Sequence, residues 1–123
     1  MKKIKFRKMV TRKGDSILAG RDAKNNEELI EQVEKEEEVF HTAEPGSPFV
    51  NIKGKPKRED INEAAIFCAK HSRDWKKNKS DVIVHRFKGK DIYKEKNMKL
   101  GTFGVKKFKV IKVKRKEIEG WKK

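Results

Sequence analysis

Two short stretches near the amino terminus predict β-strands. Ile4 and Phe6 fall on one side of an extended chain, and the neighbouring basic residues fall on the other side. This period of two is typical of a half-buried strand. After a turn at residues 13–15, the sequence Ser-Ile-Leu-Ala-Gly at residues 16–20 predicts a second short strand.

Apolar residues three or four positions apart predict two helices. The first covers residues 26–35, where Asn25 or Asn26 can accept hydrogen bonds from the free amides of the first turn. The second begins at Asp60, and Glu63 follows at the spacing of a capping box. Its predicted buried face consists of Ile61, Ala64, Ala65, Cys68, Ser72 and Trp75. Because this face is narrow, we expect the helix to lie close to a sheet, with Cys68 as a packed core thiol.

Other stretches predict further strands. They cover residues 39–41, 49–52, 81–87, 91–93, 102–105 and 108–113. Residues 81–87 are apolar on both faces, which predicts an interior strand. In residues 108–113 the apolar positions change parity, and this predicts a bulge or a strand buried on both sides. We expect Phe87 and Phe103 to belong to the core.

These elements predict an α+β fold, in which a mixed, mostly antiparallel sheet of about six strands is covered by two helices. We expect one domain over residues 1–123 because no long linker interrupts the chain. The amino-terminal strand is expected within residues 1–13, and the basic tail at residues 114–123 is expected to fray.

The composition is unusually polar. Hydrophobic residues make up 34% of the chain and charged residues 43%, whereas typical domains have roughly 45–50% and ~25%. Disordered chains share this property, but the periodic segments and seven phenylalanines favour a folded domain. The abundance of lysine and glutamate is also typical of proteins from hot environments.

Several classes of protein are excluded by the sequence. No apolar run approaches the ~18–20 residues that cross a bilayer, and no apolar segment follows the basic amino terminus as in a secretory signal. Cys68 is the only cysteine, which excludes an internal disulfide and a zinc site with two or four cysteines. We expect no metal, no cofactor, no membrane partner and a cytoplasmic location.

The charge is strongly asymmetric along the chain. The net charge is +15. Residues 1–63 hold 14 basic and 13 acidic groups, whereas the remainder holds 20 basic and 6 acidic groups. Residues 64–123 therefore carry a net charge of +14, and this favours a polyanionic partner. The first half contains an acidic cluster of Glu27, Glu28, Glu31, Glu34, Glu36, Glu37 and Glu38. This cluster is either a solvated helix face or a surface that repels polyanions.

Short motifs occur in a fixed order through the chain. Residues 18–29 read Leu-Ala-Gly-Arg-Asp-Ala-Lys-Asn-Asn-Glu-Glu-Leu. Further motifs are Val-Phe-His at 39–41, Pro-Gly-Ser at 45–47, Glu-Ala-Ala at 63–65 with Ser72, Asp-Ile-Tyr-Lys at 91–94 with Lys96, and Leu-Gly-Thr-Phe at 100–103. This series resembles the NFACT-R domain, the carboxy-terminal module of ribosome-quality-control proteins of the RqcH, NEMF and FbpA group. The resemblance covers residues 14–113. Phe40 replaces the family's usual tryptophan, and Leu100 stands where a proline is common.

The resemblance implies an RNA-binding domain connected with the large ribosomal subunit, peptidyl-tRNA and stalled translation. Full-length family members carry further domains, among them a long coiled coil, that do not fit within 123 residues. We therefore expect a stand-alone, single-domain form, and the tailing of nascent chains by the complete proteins is not implied here.

The junction between the second strand and the first helix contains candidate phosphate ligands. Arg21, Lys24 and Asn25 lie beside a helix amino terminus, where free amides and the helix dipole favour an anion. An arginine can also hold a phosphate through two parallel hydrogen bonds. In the alternative interpretation, Arg21 pairs with a carboxylate and Asn25 only caps the helix.

Other candidates lie further along the chain. His41 can hydrogen-bond a ribose or base, or stack on one, although it can equally be a structural histidine. Arg73 and Lys76 close the second predicted helix, where cations also suit the helix dipole. A hairpin-like region interleaves cations with an aromatic ring, as single-strand-binding surfaces do. Its residues are Arg86, Lys88, Lys90, Tyr93, Lys94, Lys96 and Lys99. The alternative is a lysine surface that only confers solubility.

The sequence therefore predicts a non-enzymatic nucleic-acid-binding protein. Its expected partner is RNA, either tRNA or the large ribosomal subunit, held by the basic surface of the second half. The alternative is a protein-interaction module of translation quality control that docks through its acidic first helix. An enzyme of nucleic-acid processing is not predicted, because the sequence has no phosphate-binding loop motif, no nucleophile elbow and no suitably paired carboxylates.

Overall fold

The computed structural model describes residues 4–121. Its strands are β1 (Arg7–Val10), β2 (Ser16–Ala19), β3 (Glu38–Thr42), β4 (Val50–Ile52), β5 (Val82–Lys88), β6 (Ile92–Tyr93), β7 (Gly104–Val105) and β8 (Lys109–Val113). Its helices are α1 (Ala23–Glu31), α2 (Arg58–Lys70), α3 (Arg73–Asn78) and α4 (Arg115–Glu119), and a 3₁₀ turn spans Gly89–Asp91. Within this range, no helix combines the length and apolar character needed to cross a membrane.

Six strands form one sheet in the order β1-β2-β4-β3-β5-β8. The strands β6 and β7 form a separate two-stranded ribbon. All the described pairings are antiparallel. The α+β class and the mostly antiparallel sheet are confirmed, and the predicted strand 81–87 is an interior strand, since β5 pairs with both β3 and β8.

Helix α2 packs its alanine-rich face against one side of the sheet. Ala64, Ala65 and Cys68 are buried there together with Phe40 and Val84 of the sheet. The small side chains allow the helix to approach closely, so that little space is left between the layers. Burial raises the pKa of the Cys68 thiol to about 12. The prediction of a packed core thiol is thus confirmed.

Helix α1 and the β6–β7 ribbon cover part of the opposite side. Leu29 of α1 is buried with Phe49 and Phe87, and Phe103 packs against them. Phe87 and Phe103 therefore belong to the core, as predicted. Helix α1 and the ribbon do not cover the whole of this side of the sheet. At the end formed by β3, β5 and β8, His41 and His85 are half-buried on this side and Val110 is exposed.

The predicted beginnings of the first two helices were wrong. α1 begins three residues before its predicted start because Asp22 is the cap of the helix. The Asp22 carboxylate accepts a hydrogen bond from the backbone N–H of Asn25 at 2.8 Å. α2 begins at Arg58, so Asp60 lies in its first turn and accepts from the Lys57 amide at 2.9 Å. Glu63 does not complete a capping box there. Its carboxylate instead accepts from the backbone amide of Arg12 at 3.2 Å.

The predicted helical face that ends at Trp75 is divided between two helices. Ser72 interrupts α2 and caps α3, since its Oγ accepts from the Trp75 amide at 3.1 Å. Ser72 and Trp75 are both buried. The face therefore reaches the core as predicted, although the backbone turns at Ser72.

The first and last strands differ in detail from the sequence pattern, and residues 1–3 of the predicted amino-terminal strand lie outside the described residues. β1 begins at Arg7, and Ile4 is exposed. β8 has neither a bulge nor two buried faces. It is an edge strand in continuous register with β5, and Val110 is 60% exposed. The tail forms α4, whose Ile118 is buried in the α2 core. The predicted tail thus contains an amphipathic helical turn at residues 115–119. Its last two residues, 122 and 123, lie outside the described residues, and the fraying of the tail stays a prediction.

Candidate nucleic-acid interface

Several cations of the hairpin-like region are paired with carboxylates of the acidic cluster. Lys88 and Lys90 lie 3.2 and 3.5 Å from the carboxylate of Glu36. Arg86 makes two hydrogen bonds to Glu38, at 2.9 and 3.1 Å. These hydrogen bonds raise the pKa of Arg86 above its usual value. The acidic cluster folds across the region because β3 pairs with β5, which brings Glu38 beside Arg86.

Lys94 is a structural residue in this fold. Its Nζ donates to Glu27 at 2.6 Å and to the carbonyl oxygens of Lys99 and Thr102 at 2.6 and 2.7 Å. The Gly101 amide donates to the same Glu27 carboxylate at 2.7 Å. Burial raises the pKa of Glu27, but these hydrogen bonds bring it below its usual value. Lys94 thus fastens the loop between β6 and β7 to α1, and its predicted role as a phosphate ligand has no support.

The remaining residues of this region lie apart from one another. Tyr93 is partly exposed on the ribbon, and its ring lies so close to Gly104 that a side chain at position 104 would collide with it. Lys96 and Lys99 are exposed on the loop between β6 and β7.

Four members of the acidic cluster form ion pairs with basic residues. They are Glu27, Glu36, Glu37 and Glu38. On α1 itself, only Glu27 forms an ion pair among residues 4–121. Glu28 accepts from Nδ2 of Asn25 at 3.2 Å, and Glu31 is exposed. Docking of a protein partner through α1 therefore stays a prediction.

A cleft of about 870 Å³ lies over the uncovered end of the sheet. Its walls come from the start of α1, the turn at residues 45–48, the start of α3 and the loop at residues 101–103. Its floor contains the side chains of β3 and β5 that no helix covers, His41 and His85 among them. This is the place where the predicted candidates Arg21, His41, Arg73 and Lys76 come together.

Among residues 4–121, four cations and one carboxylate line the cleft. The cations are Arg7, Arg21, Arg73 and Lys76. Within residues 4–121, none of the four forms an ion pair with a carboxylate. The carboxylate is that of Asp22, which is engaged as the cap of α1. The cleft is therefore electropositive, and a concave site with charge of one sign concentrates the field on an anionic ligand.

The turn at residues 45–47 positions one of these cations. Gly46 has a φ of +97°, a left-handed conformation that favours glycine. Its carbonyl oxygen accepts from the Arg73 amide at 2.8 Å. A Cβ at position 46 would lie only 2.9 Å from the Cβ of Arg73. The Pro-Gly-Ser motif thus allows the turn to pack directly against the start of α3, and this contact fixes Arg73 at the cleft.

The strand–helix junction is only partly available to a ligand. Arg21 is exposed and lines the cleft, and Lys24 is exposed on α1. Asn25 is buried, its Oδ1 accepts from the Arg21 amide at 2.9 Å and its Nδ2 donates to the Lys5 carbonyl oxygen at 3.0 Å. The side-chain amide of Asn25 thus holds the junction together, and its role as a phosphate ligand stays a prediction.

All three histidines of the chain line the cleft. Burial lowers the pKa of His41, His71 and His85, and the charges of Arg7 and Lys76 lower that of His71 further. At neutral pH the imidazoles are consequently uncharged. Nδ1 of His41 donates to the carbonyl oxygen of Thr42 at 2.8 Å. Within residues 4–121, no three metal-ligating side chains come together in a way that would hold an ion.

Aromatic rings make up much of the cleft floor. The His41 ring lies 4.4 Å from that of Phe49, and Phe103 meets Phe49 edge-on at 5.4 Å. The ring of His85 stacks on that of Phe108 at 4.0 Å and an interplanar angle of 21°. Phe108 is 49% exposed, whereas Phe49 is buried. The His85–Phe108 pair is thus the part of the floor that presents an open planar surface.

A second groove adjoins the cleft at Phe108. It has a volume of about 710 Å³, and Phe108 lines both sites. The groove is also lined by the exposed Lys106, Lys107 and Lys109. Among residues 4–121 these three lysines form no ion pair. The groove also contains two carboxylates, those of Asp91 and of Glu38, which pairs with Arg86. Cations without an ion-pair partner among residues 4–121 therefore line both sites that share Phe108.

Sequence reasoning missed several residues of these two sites. They are Arg7, His71, His85, Lys106, Lys107, Phe108 and Lys109. One signal was available, because Lys-Lys-Phe-Lys at residues 106–109 interleaves cations with an aromatic ring. Arg7 and His71 left no such signal, since each is brought to the cleft by contacts between elements that are distant in the chain.

The comparisons with known proteins agree with this architecture. The model of the family described as NFACT protein RNA binding domain matches residues 5–107, which is most of the chain. The chain belongs to this family. NFACT RNA-binding domains are a non-catalytic family, and membership in it supports RNA binding in general.

Two relatives extend the comparison. The chain is 35% identical over 85 residues to the archaeal Rqc2 homolog aRqcH of Methanocaldococcus jannaschii, an alignment that covers 66% of this chain and 13% of that protein. The fold is similar to the carboxy-terminal part of the fibronectin/fibrinogen-binding protein from Streptococcus suis, with a TM-score of 0.83 and 24% identity. That match covers 99% of this chain and 51% of the other. The chain thus corresponds to a small part of the archaeal relative and to about half of the solved carboxy-terminal chain of the streptococcal protein.

Proposed function

We propose that the cleft over the uncovered end of the sheet binds RNA through phosphate contacts, without a catalytic step. The observation that carries this proposal is the set of four cations, Arg7, Arg21, Arg73 and Lys76, around one cleft and without ion-pair partners among residues 4–121. Unpaired arginines hold phosphates well because the guanidinium group is planar and weakly hydrated.

The RNA that we infer is tRNA or the RNA of the large ribosomal subunit. This inference rests on the resemblance to ribosome-quality-control proteins and on the match to an Rqc2 homolog. A cytoplasmic location follows from such a role. Contacts to phosphates position a nucleic acid and do not by themselves select its sequence, so we expect broad rather than sequence-specific binding.

Fluorescence anisotropy with labelled tRNA at increasing KCl concentrations tests the proposal. If four phosphates are neutralised, the logarithm of the binding constant should fall against the logarithm of the salt concentration with a slope of about −3 to −4. The double variant Arg21→Glu/Arg73→Glu should lower the affinity at low salt by at least about tenfold, because it reverses two of the four charges.

The matched control is Lys55→Glu/Lys116→Glu. It makes the same change in net charge at two exposed positions that line neither the cleft nor the second groove. This variant should bind tRNA nearly as well as the wild-type protein. An equal loss in both double variants would mean that net charge alone attracts the RNA, and the cleft would then not be the binding site.

The absence of a catalytic step has its own test. Labelled RNA incubated with the protein and Mg²⁺ should remain intact over a period in which binding is complete. Cleavage that is lost on replacing Asp22, the one carboxylate that lines the cleft, would contradict this part of the proposal.

A further inference from the structure

We propose that the RNA segment held here is unpaired, and that one of its bases stacks on Phe108. This inference deepens the proposed function, on which it rests, by naming the structural class of the RNA. It starts from the position of Phe108 between the cleft and the second groove.

The ring of Phe108 is both exposed and stacked on a second ring. It is 49% exposed, and its contact with His85 is a near-parallel stack at 4.0 Å. Because burial lowers the pKa of His85, the imidazole beneath is neutral at pH 7. The two rings therefore form a flat, uncharged platform whose outer part faces solvent, and such a platform suits a nucleobase.

The charges around the platform indicate how the backbone of the ligand runs. Arg73 and Lys76 line the cleft, Lys106 and Lys107 line the second groove, and Phe108 lines both. A strand whose base rests on Phe108 would place its preceding and following phosphates toward these two sets of cations. Proteins that bind single strands combine charge along the backbone with rings for the bases in this way.

A double helix does not fit this arrangement. The bases of an RNA duplex are paired and stacked on one another, and only their edges and the backbone are accessible. A ring that lies between two grooves can reach the face of a base only where the base is unpaired. We therefore assign the platform to a loop, a bulge or a single-stranded end.

A second copy of the chain is the other occupant to consider for the exposed edge beside Phe108. β8 is the last strand of the sheet, and Val110 next to the ring is also exposed. Pairing two copies along β8 would, however, bring Lys109 and Lys112 of each copy close to the same residues of the other. This repulsion disfavours the dimer, whereas the same lysines favour an anionic strand.

The test compares a 15-nucleotide single-stranded RNA with a 15-base-pair RNA duplex in anisotropy titrations at one salt concentration. Phe108→Ala should weaken binding of the single strand by at least about tenfold and change binding of the duplex less than about twofold. Val110→Ala, which truncates an exposed apolar neighbour on the same strand, is the control and should leave both affinities unchanged. In the variant Phe108→Trp, the single strand should quench tryptophan emission more than it does in the wild-type protein, which contains Trp75 and Trp121, and the duplex should not.

Each outcome distinguishes this inference from the proposed function. If Phe108→Ala binds both RNAs like the wild-type protein while Arg21→Glu/Arg73→Glu binds neither, RNA binding stands and the stacking inference is overturned. Equal losses for the single strand and the duplex also overturn it. A wild-type protein that binds neither RNA overturns both proposals. If light scattering shows a dimer that Phe108→Ala dissociates, the ring belongs to an interface between copies.

Discussion

The ammonium group of Lys94 lies 2.6 Å from the carboxylate of Glu27, although the two residues are 67 positions apart in the chain. The same ammonium group donates to two carbonyl oxygens of the loop between β6 and β7. It also lies 4.7 Å above the ring of Phe103. One lysine therefore holds the loop that forms a wall of the cleft, and this role differs from the phosphate contact that its sequence context predicts.

Removing this anchor should destabilise the protein. We expect Lys94→Met to lower the free energy of unfolding by about 1–2 kcal/mol, since it breaks a partly buried ion pair and leaves the Glu27 carboxylate with fewer partners. Urea denaturation followed by circular dichroism measures the effect. Lys96→Met is the matched control, because Lys96 is exposed on the same loop and forms no ion pair among residues 4–121. Equal stability of the two variants would contradict the anchoring role.

Gly46 should tolerate a side chain poorly. Gly46→Ala adds the strain of a left-handed backbone to a contact of 2.9 Å with the Cβ of Arg73. Gly14→Ala is the control, because Gly14 has nearly the same φ, +96°, and no atom lies within 4 Å of its added Cβ. Both variants should lose about 1 kcal/mol to backbone strain. Only Gly46→Ala should lose more than this and also bind tRNA more weakly, and identical behaviour would show that the turn does not position Arg73.

The stability of the fold should fall as the solution becomes mildly acidic. The pKa values of His41, His71 and His85 lie below their ordinary value of 6.5 in the folded protein, chiefly because the rings are buried. Below pH 6.5 the unfolded chain therefore binds protons that the folded protein does not, and the free energy of unfolding decreases. Well above pH 6.5 the rings are neutral in both states, and they do not make the free energy of unfolding depend on pH.

Thermal unfolding between pH 7.5 and pH 5.5 tests this expectation. This range lies above the ordinary carboxylate pKa values, so histidines dominate the change. His41→Phe keeps a ring on Phe49 but cannot take up a proton, and its melting temperature should depend less on pH than that of the wild-type protein. An unchanged slope would mean that His41 is not responsible.

Cys68 should be unreactive in the folded protein. It is fully buried, and burial raises the pKa of its thiol to about 12. Because the thiolate is the reactive form, a disulfide reagent such as Ellman's reagent at pH 8 should label the native protein at least about a hundredfold more slowly than the protein in guanidinium chloride. Rapid labelling of the native protein would show that α2 separates readily from the sheet.

The sequence predicted the elements of this fold better than the site. Strands were recognisable because alternation is a local property, and β3, β5 and the predicted second strand appear close to their expected positions. Helix ends were less predictable, since Asp22 and Asn25 are chemically similar caps and only the backbone selects between them.

The site could not be located from charge counts. The excess of +14 in the second half is real, but a sum along the chain does not reveal which cations face carboxylates after folding. Antiparallel pairing brings Arg86 to Glu38, while packing of the loop brings Lys94 to Glu27. The unpaired cations of the cleft, among them Arg7 from the predominantly balanced first half, come from elements that only the tertiary structure brings together.

The edge position of β8 has a consequence for handling the protein. An unpaired edge offers its backbone to strands of other molecules, and lysines are a common protection against such aggregation. β8 and the residues before it hold Lys106, Lys107, Lys109 and Lys112 beside the exposed Phe108 and Val110. Acetylation or neutral substitution of these lysines would remove the charges that protect this exposed apolar edge. Protein modified in this way should therefore aggregate while it is still folded.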